Sequence, residues 1–410
     1  MSVSPSIPND AVFDAVVVGG GPAGATAAHD LARAGRRVAL LDRAGRVKPC
    51  GGAVPPQLLA DFDVPRAQLV AEIASARMVS PRGRQVDIPV GDGYVGMVDR
   101  GAFDEWLRAR AADAGALRTT GRFERITRDR DGAATVWYRE GTSRSGELRS
   151  VRTRFVVGAD GALSAVARQE IPGAGRMRHV FAYHEIVERP AGAAPGGFYD
   201  DARCDVYYQG RLSPDFYAWI FPHGPVCSVG TGTMRQGFDM RGAIARLRED
   251  AGLGEARTLK REGAPIPLTP LRRWDNGRDV IVAGDAAGLV APASGEGIFY
   301  AMTGGRRAAE AVGDALDART ERARAGALAR GRRRFMREHG PVFFVLDVMQ
   351  RFWYQNEDRR ERFVAICRDE DVQRLTFEAY MRKRLVRARP LSHARIFVKN
   401  LAHLSGLAAT

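Results

Sequence analysis

Cysteine and lysine are the scarce residues of this chain. Four cysteines, Cys50, Cys204, Cys227 and Cys367, are spread through 410 residues. No two stand at a redox CxxC or metal-ligand spacing. The chain is therefore expected to be a cytoplasmic protein in a reducing compartment, with no structural disulfide and no metal site. Of 62 basic residues, only Lys48, Lys260, Lys383 and Lys399 are lysine. That skew fits a GC-rich genome better than any chemistry specific to Arg. Residues Met1 to Val12 lack the basic start and apolar core of a signal peptide. No run approaches the ~20 apolar residues of a membrane span. The most apolar stretch, Pro341 to Met349, is short and interrupted by Asp347. No nucleic-acid-binding motif is present. The net charge of +14 then suits a phosphorylated cofactor or an anionic membrane surface rather than nucleic acid. What remains is the composition of a soluble globular chain, 45% hydrophobic and 27% charged, long enough for two or three domains.

Val12 to Val18 is a β-branched run with one charge, which predicts a buried parallel strand. It leads directly into Gly19-Gly20-Gly21-Pro22-Ala23-Gly24. A helical stretch from Ala23 to Ala34 follows and stops at Gly35. Val38 to Leu41 is a second strand, with Asp42 at its end. This is a complete GxGxxG strand–turn–helix–strand–acid unit. Gly19 makes the turn, Gly21 admits a pyrophosphate, and Gly24 lets helix and strand pack. The helix N-terminus, from Ala23, offers free N–H groups to the phosphates. Asp42 is placed to accept from adenosine ribose hydroxyls.

A second GxGxxG, Gly91 to Gly96, reads as a decoy. Pro89 spoils the strand before it, the next helix cannot begin before about Arg100, and Tyr94 crowds the turn. With no second nucleotide fold, the first must hold the resident redox cofactor, which favours FAD over NAD. Two further strands end in an acid at their carboxyl ends, where open α/β sheets bind ligands. Phe155 to Val157 leads into Gly158-Ala159-Asp160-Gly161. Val280 to Ala283 leads into Gly284-Asp285-Ala286-Ala287-Gly288, where Asp285 could accept from ribityl hydroxyls. The turn Ser294-Gly295-Glu296-Gly297 opens a helix at Ile298, whose N–H groups would face the pyrophosphate or the flavin pyrimidine edge.

Two other segments carry a chemical signal. Lys48-Pro49-Cys50-Gly51-Gly52 follows the dinucleotide unit, with two glycines that let the backbone approach a planar group. Tyr217, Trp219 and Phe221 fall at i, i+2 and i+4, so in a strand they share one face, with Ala218 and Ile220 on the other. Val226 to Thr233 suits the hairpin partner. From pattern alone, an aromatic face on a sheet is most often core packing.

In this order, Gly19–Gly24, Asp160-Gly161 and Gly284-Asp285 resemble the flavoprotein class that includes aromatic hydroxylases. Within it, the Lys48–Gly52 segment, Tyr217-Ala218-Trp219-Ile220-Phe221-Pro222 and Gly284–Gly288 resemble the geranylgeranyl reductases. Ser294-Gly295-Glu296-Gly297-Ile298 is most similar to the branch acting in chlorophyll and bacteriochlorophyll synthesis. The resemblance covers roughly Phe13 to Arg384. It departs mildly at Asp42, where Glu is commoner, and at His223, where a Lys is frequent.

The resemblance implies a Rossmann-type α/β FAD-binding domain (12–75, 96–172 and 275–320), an inserted antiparallel-sheet substrate domain (76–95 and 173–274) and a C-terminal helical region (321–410). It implies that NADPH reduces tightly bound FAD and leaves. Hydride then passes to isolated alkenes of a geranylgeranyl chain, on bacteriochlorophyll or as the free diphosphate, giving phytyl. It makes the Tyr217, Trp219 and Phe221 face a wall of the prenyl cavity. It places Gly19, Gly21, Ala23, Gly24, Asp42, Cys50, Gly51, Gly52, Arg100, Asp160, Asp285, Gly295, Gly297 and Ile298 at the cofactor. On residue pattern alone, Arg100 could equally be a solvated charge at a helix start. Cys50, Tyr217 or a water would supply the proton; Cys50 either donates it or shapes the pocket. An unperturbed thiol is protonated at pH 7, which suits a donor. The basic, aromatic-containing last ninety residues read as a helical layer or as a peripheral contact with the cytoplasmic face of a photosynthetic membrane. Rival readings are an aromatic monooxygenase, a reductase of another prenyl lipid or quinone, and a non-catalytic flavin-bound pigment carrier.

Overall fold

The computed structural model describes residues 11–43, 47–91, 93–130, 132–143, 145–373 and 383. In chain order the elements begin β1 (Val12–Val18), α1 (Pro22–Arg33), β2 (Val38–Asp42), β3 (Ala53–Val54), α2 (Pro56–Asp61), β4 (Leu69–Ile73), β5 (Ser75–Val79), β6 (Gln85–Pro89) and β7 (Val95–Val98). Then come α3 (Arg100–Asp113), β8 (Leu117–Arg128), β9 (Ala134–Glu140), β10 (Leu148–Gly158), α4 (Ala165–Glu170), β11 (His179–Glu188), β12 (Arg203–Tyr207), β13 (Ala218–His223) and β14 (Val226–Thr233). The remainder is α5 (Met240–Asp250), β15 (Thr258–Pro267), β16 (Val280–Val282), α6 (Ile298–Asp317), α7 (Glu321–Trp353) and α8 (Glu357–Ile366).

By contacts the chain divides into two compact units. The first comprises residues up to Lys48, Arg100–His179 and Pro265–Gly340. Its sheet runs parallel through β8, β2, β1, β10 and β16. Apart from Phe13, Asp14 and Asp42, the strands β1, β2 and β16 are short runs of Val, Ile, Leu and Ala, mostly buried, as a parallel sheet covered on both faces requires. β8 and β10 are longer than the parallel sheet needs. Their outer halves leave it and pair antiparallel with β9. α1 and α6 pack together on this sheet, and their contact is built on small residues. A Cβ added at Gly305 would lie 2.1 Å from the Ala23 carbonyl oxygen.

The second unit comprises Pro49–Asp99, Val180–Ala264 and the described residues after Gly340. Its seven-stranded sheet has the order β15-β11-β14-β13-β12-β5-β6. All the registered pairs in it are antiparallel except β12 with β5. A small antiparallel sheet, β3-β7-β4, belongs to the same unit. Residues 49–75, expected with the cofactor domain, therefore group with this unit: β3 and β4 are tied to β7, and β5 to β12. The C-terminal region also divides, at Gly340 and Pro341. Pro341 lies inside α7, where it removes one helical hydrogen bond without ending the helix. The part of the expected helical region at 374–382 and 384–410 lies outside the described residues. Among the described residues no helix is long and apolar enough to cross a membrane.

Candidate active site

In the first unit, β1 delivers the chain to Gly19, which turns it with φ +104°. A Cβ on Gly24 would stand 1.8 Å from the Gly19 carbonyl oxygen, while one on Gly21 would meet nothing within 4 Å. The turn thus packs against the helix at one glycine and is open at another. α1 begins at Pro22 with no side chain capping it and no acid in its first turn. Its terminal N–H groups and the positive end of its dipole face that opening, the donor set an adenine dinucleotide pyrophosphate needs. Asp42 is held beside the turn. Its Oδ1 accepts from the Gly20 N–H at 3.1 Å, and its Oδ2 lies 3.6 Å from an Arg108 guanidinium nitrogen. Arg108 also donates to the Gly20 carbonyl oxygen at 3.1 Å. No sequence motif marks Arg108, which sits in the interior of α3.

The second glycine-rich turn is assembled around Asp285. Lys48 forms an ion pair with its carboxylate. A Cβ on Gly297, the N-cap of α6, would lie 3.7 Å from Asp285 Oδ1. The preceding turn is closed by hydrogen bonds from Gly295 N–H to Ala291 O and from Ala291 N–H to Glu296 O, each 2.9 Å. Gly295 has φ +65°, and Ile298 is buried as the first helical residue. Asp285, Gly295, Gly297 and Ile298 thus converge, and Lys48 joins them from 237 residues away.

Asp160 and Arg100 are engaged differently. The Asp160 carboxylate accepts from the Ser164 hydroxyl and from the N–H groups of Ala165 (2.7 Å) and Val166 (3.3 Å), capping α4. Burial pushes its carboxyl upward against those hydrogen bonds. Arg100 is not a solvated charge. It is buried, and its fork donates to both carboxylate oxygens of Asp104 at 2.9 and 2.8 Å.

In the second unit, Cys50, Gly51 and Gly52 form a turn that is packed against protein. A Cβ on Gly51 would lie 3.0 Å from the Phe221 ring; one on Gly52 would lie 2.6 Å from the Val98 carbonyl oxygen and 2.7 Å from His223 Nε2. Gly52 also has φ +69°. The close approach these glycines permit is thus first to Phe221, Val98 and His223. The half-exposed Cys50 thiol accepts a long hydrogen bond from Gly52 N–H, 3.4 Å. His223 is fixed by a hydrogen bond from Nδ1 to the Phe221 carbonyl oxygen, 3.0 Å, and burial pushes its pKa down. The imidazole is thereby held in its neutral form.

The aromatic face forms as its spacing requires. Tyr217 and Trp219 rings lie 5.9 Å apart, Trp219 and Phe221 6.0 Å. Tyr217 precedes β13 and stacks at 4.3 Å on Phe216. On the opposite face Ala218 and Ile220 enter an apolar cluster with Leu212, Val229 and Leu247. The aromatic row is itself largely enclosed: Tyr217 and Trp219 are buried, and Phe221 packs against the cluster of Ile73, Val95 and Met97.

Comparison with known proteins follows the same lines. Residues 13–185 match the family model described as pyridine nucleotide-disulphide oxidoreductase. The geranylgeranyl diphosphate reductase of Rhodobacter capsulatus is 56% identical over 399 residues, 96% of this chain and 98% of that one. The chloroplastic geranylgeranyl diphosphate reductase of Oryza sativa is 36% identical, over 98% of this chain and 88% of its own. A crystal structure of a geranylgeranyl bacteriochlorophyll reductase-like protein from Thermoplasma acidophilum superposes with TM-score 0.78 at 21% identity, covering 92% of this chain and 98% of that one.

Proposed function

The chain belongs to the geranylgeranyl diphosphate reductase family, and from that premise we propose an FAD-dependent enzyme that draws on NADPH to reduce the isolated double bonds of a geranylgeranyl chain to phytyl. The chain would be carried on bacteriochlorophyll or on diphosphate. The observation that carries the reading is the packing of Gly51 and Gly52 on Phe221 and His223, which joins the two segments most specific to this family into one surface.

When bound, the flavin supplies the hydride. The open turn at Gly21 and the uncapped N-terminus at Ala23 would hold its pyrophosphate, with Gly19 and Gly24 shaping that turn and Asp42 taking the adenosine ribose. Asp285 would take the ribityl chain, beside the α6 N-terminus formed by Gly295, Gly297 and Ile298. Arg100 and Asp160 complete the cofactor set as supports, fixing α3 and α4 through the bonds described. An isolated alkene is unpolarised, so proton delivery to its less substituted carbon must lead or accompany hydride transfer; positive charge then develops on the more substituted carbon, which the hydride quenches. The ring faces of Tyr217 and Trp219 stabilise that charge by about 1–2 kcal/mol if desolvated. Cys50 and Tyr217 are the protein groups on this surface with a proton to give. NADPH would act as a transient donor, in keeping with the single dinucleotide-type parallel sheet among the described residues.

Anaerobic incubation with NADPH and geranylgeranyl-bacteriochlorophyll, followed by mass analysis, tests the proposal. Successive two-hydrogen additions are expected. Turnover only with O2 would replace this reading with monooxygenation; binding of pigment without NADPH oxidation would replace it with a carrier.

A lipophilic substrate also motivates a peripheral membrane location. Residues 330–337 of α7 carry Arg330, Arg332, Arg333, Arg334 and Arg337 around one surface cavity. Later in the same helix Phe344 is 69% exposed. Basic and exposed aromatic residues of this kind bind anionic lipid surfaces. Binding to anionic vesicles that is lost in high salt is expected; indifference to such vesicles at low salt would refute the location.

A further inference from the structure

One group of buried polar side chains has no place in this mechanism as stated. It lies in the second unit, on the sheet face that carries Trp219. β11 contributes His184, β14 Ser228 and Gly230, and β15 Glu262. His184 pairs with Gly230 across β11 and β14, and Gly230 with Trp219 across β14 and β13. Directly opposed residues share a face, so the three positions form a row.

Gly230 leaves that row open. A Cβ there would stand 2.1 Å from Trp219 Cζ2, so the indole lies across β14 in space that only glycine provides. Its Nε1–H donates to Ser228 Oγ at 3.1 Å. The same oxygen shares a 2.8 Å hydrogen bond with His184 Nδ1. On the far side, His184 Nε2 stands 3.4 Å from Glu262 Oε2, within ion-pair reach but not aligned as a hydrogen bond. Ser228, His184 and Trp219 are all buried.

The proton inventory orders this chain. An indole N–H only donates, so Ser228 must accept from it. The Glu262 carboxylate beside Nε2 favours the tautomer protonated there, and in that tautomer the Ser228 proton points at Nδ1. A hydroxyl held at both ends does not rotate, and an indole held through it keeps its ring plane. The chain ends in the indole, which is no acid, so it orients a ring rather than delivering a proton.

We propose that His184, acting through Ser228, is a positioning residue that sets the plane of the Trp219 ring against the prenyl chain and so governs which of its double bonds are reduced. This rests on the reductase reading. Glu262 holds the imidazole tautomer and Gly230 gives the ring its seat.

The test compares His184→Leu, which removes the partner of Ser228, with His184→Gln, which retains a polar one. The readouts are the indole N–H resonance of Trp219 and the product distribution from geranylgeranyl-bacteriochlorophyll, at equal flavin content. His184→Leu is expected to move the resonance and to raise the share of partially reduced products by about five-fold, the factor one lost buried hydrogen bond supports. His184→Gln is expected to stay near wild type. Should His184→Leu fail to fold, Ser228→Ala removes the same link with a smaller change. An unmoved resonance, or a moved resonance with an unchanged product distribution, overturns the proposal. Failure of the wild-type protein to reduce the substrate at all would instead refute the reductase reading, and the resonance would still report the network.

Discussion

Gly24 has no room for a methyl group: the Cβ of an alanine would sit 1.8 Å from a backbone oxygen of the turn it supports. Neither atom belongs to a flexible side chain, so the turn itself must shift. Gly24→Ala is therefore expected to purify with little flavin absorbance, and full flavin retention after gel filtration would show that the turn tolerates the shift. Cys50 poses the opposite case. Its thiol is half-exposed and accepts only a long hydrogen bond, from Gly52 N–H, among the described residues, so replacement costs little structure. If Cys50 donates the proton, Cys50→Ser should retain FAD and lose alkene reduction by at least about a hundred-fold, the lower end of what general acids contribute. Wild-type turnover in flavin-replete Cys50→Ser leaves the thiol as a shaping group only.

Among the elements, α6 shows how one helix holds glycines of opposite meaning. Gly305 faces the Ala23 carbonyl at 2.1 Å from its would-be Cβ, whereas Gly313, two turns on, meets nothing within 4 Å. Gly305→Ala should destabilise by about 1–3 kcal/mol through overpacking. Gly313→Ala should stabilise by about 0.5–1 kcal/mol, because only helix propensity changes. Urea midpoints of the two variants check the signs, and like signs would refute the packing argument. The same helix shows what could be read in advance. Its start at Ile298 followed from the glycine turn before it, as β1, α1 and β2 followed from β-branched runs and GxGxxG spacing. β14 matched Val226 to Thr233 because a hairpin is local. The pairings of β5 with β12, and of β9 between β8 and β10, were not legible, since a local pattern does not name a distant partner. For the same reason the pentapeptide does not name Asp285 as the partner of Lys48, and nothing local marks Arg108, His184 or Ser228. A lone histidine or serine in a strand carries no sign of the row it will join.

At the scale of the whole molecule, those distant placements set a response to acid. His184 is buried and His223 half-buried, and desolvation lowers each pKa below the ordinary 6.5. For His184, Glu262 works against that shift, while His223 and Lys260 reinforce it. In the unfolded chain each imidazole takes up a proton as pH falls through about 6.5, but in the folded protein it does so only at lower pH. Between those two values the unfolded state binds more protons, so stability falls as pH falls, by up to about 1.4 kcal/mol per pH unit for each imidazole. Above the unfolded value both states are neutral and the effect vanishes. The buried carboxyls of Asp205 and Asp275 and the half-buried one of Asp160 are raised by desolvation and act in the opposite direction, taking protons in the folded state first. The histidine contribution is therefore isolated by difference. Thermal unfolding of the wild-type protein and of His184→Gln, followed from pH 7.5 to 5 on the holoprotein, should give a shallower acid-side loss of Tm in the variant. Parallel curves would show that His184 charges as readily in the fold as in the unfolded chain, and that the row across the sheet does not keep its imidazole neutral.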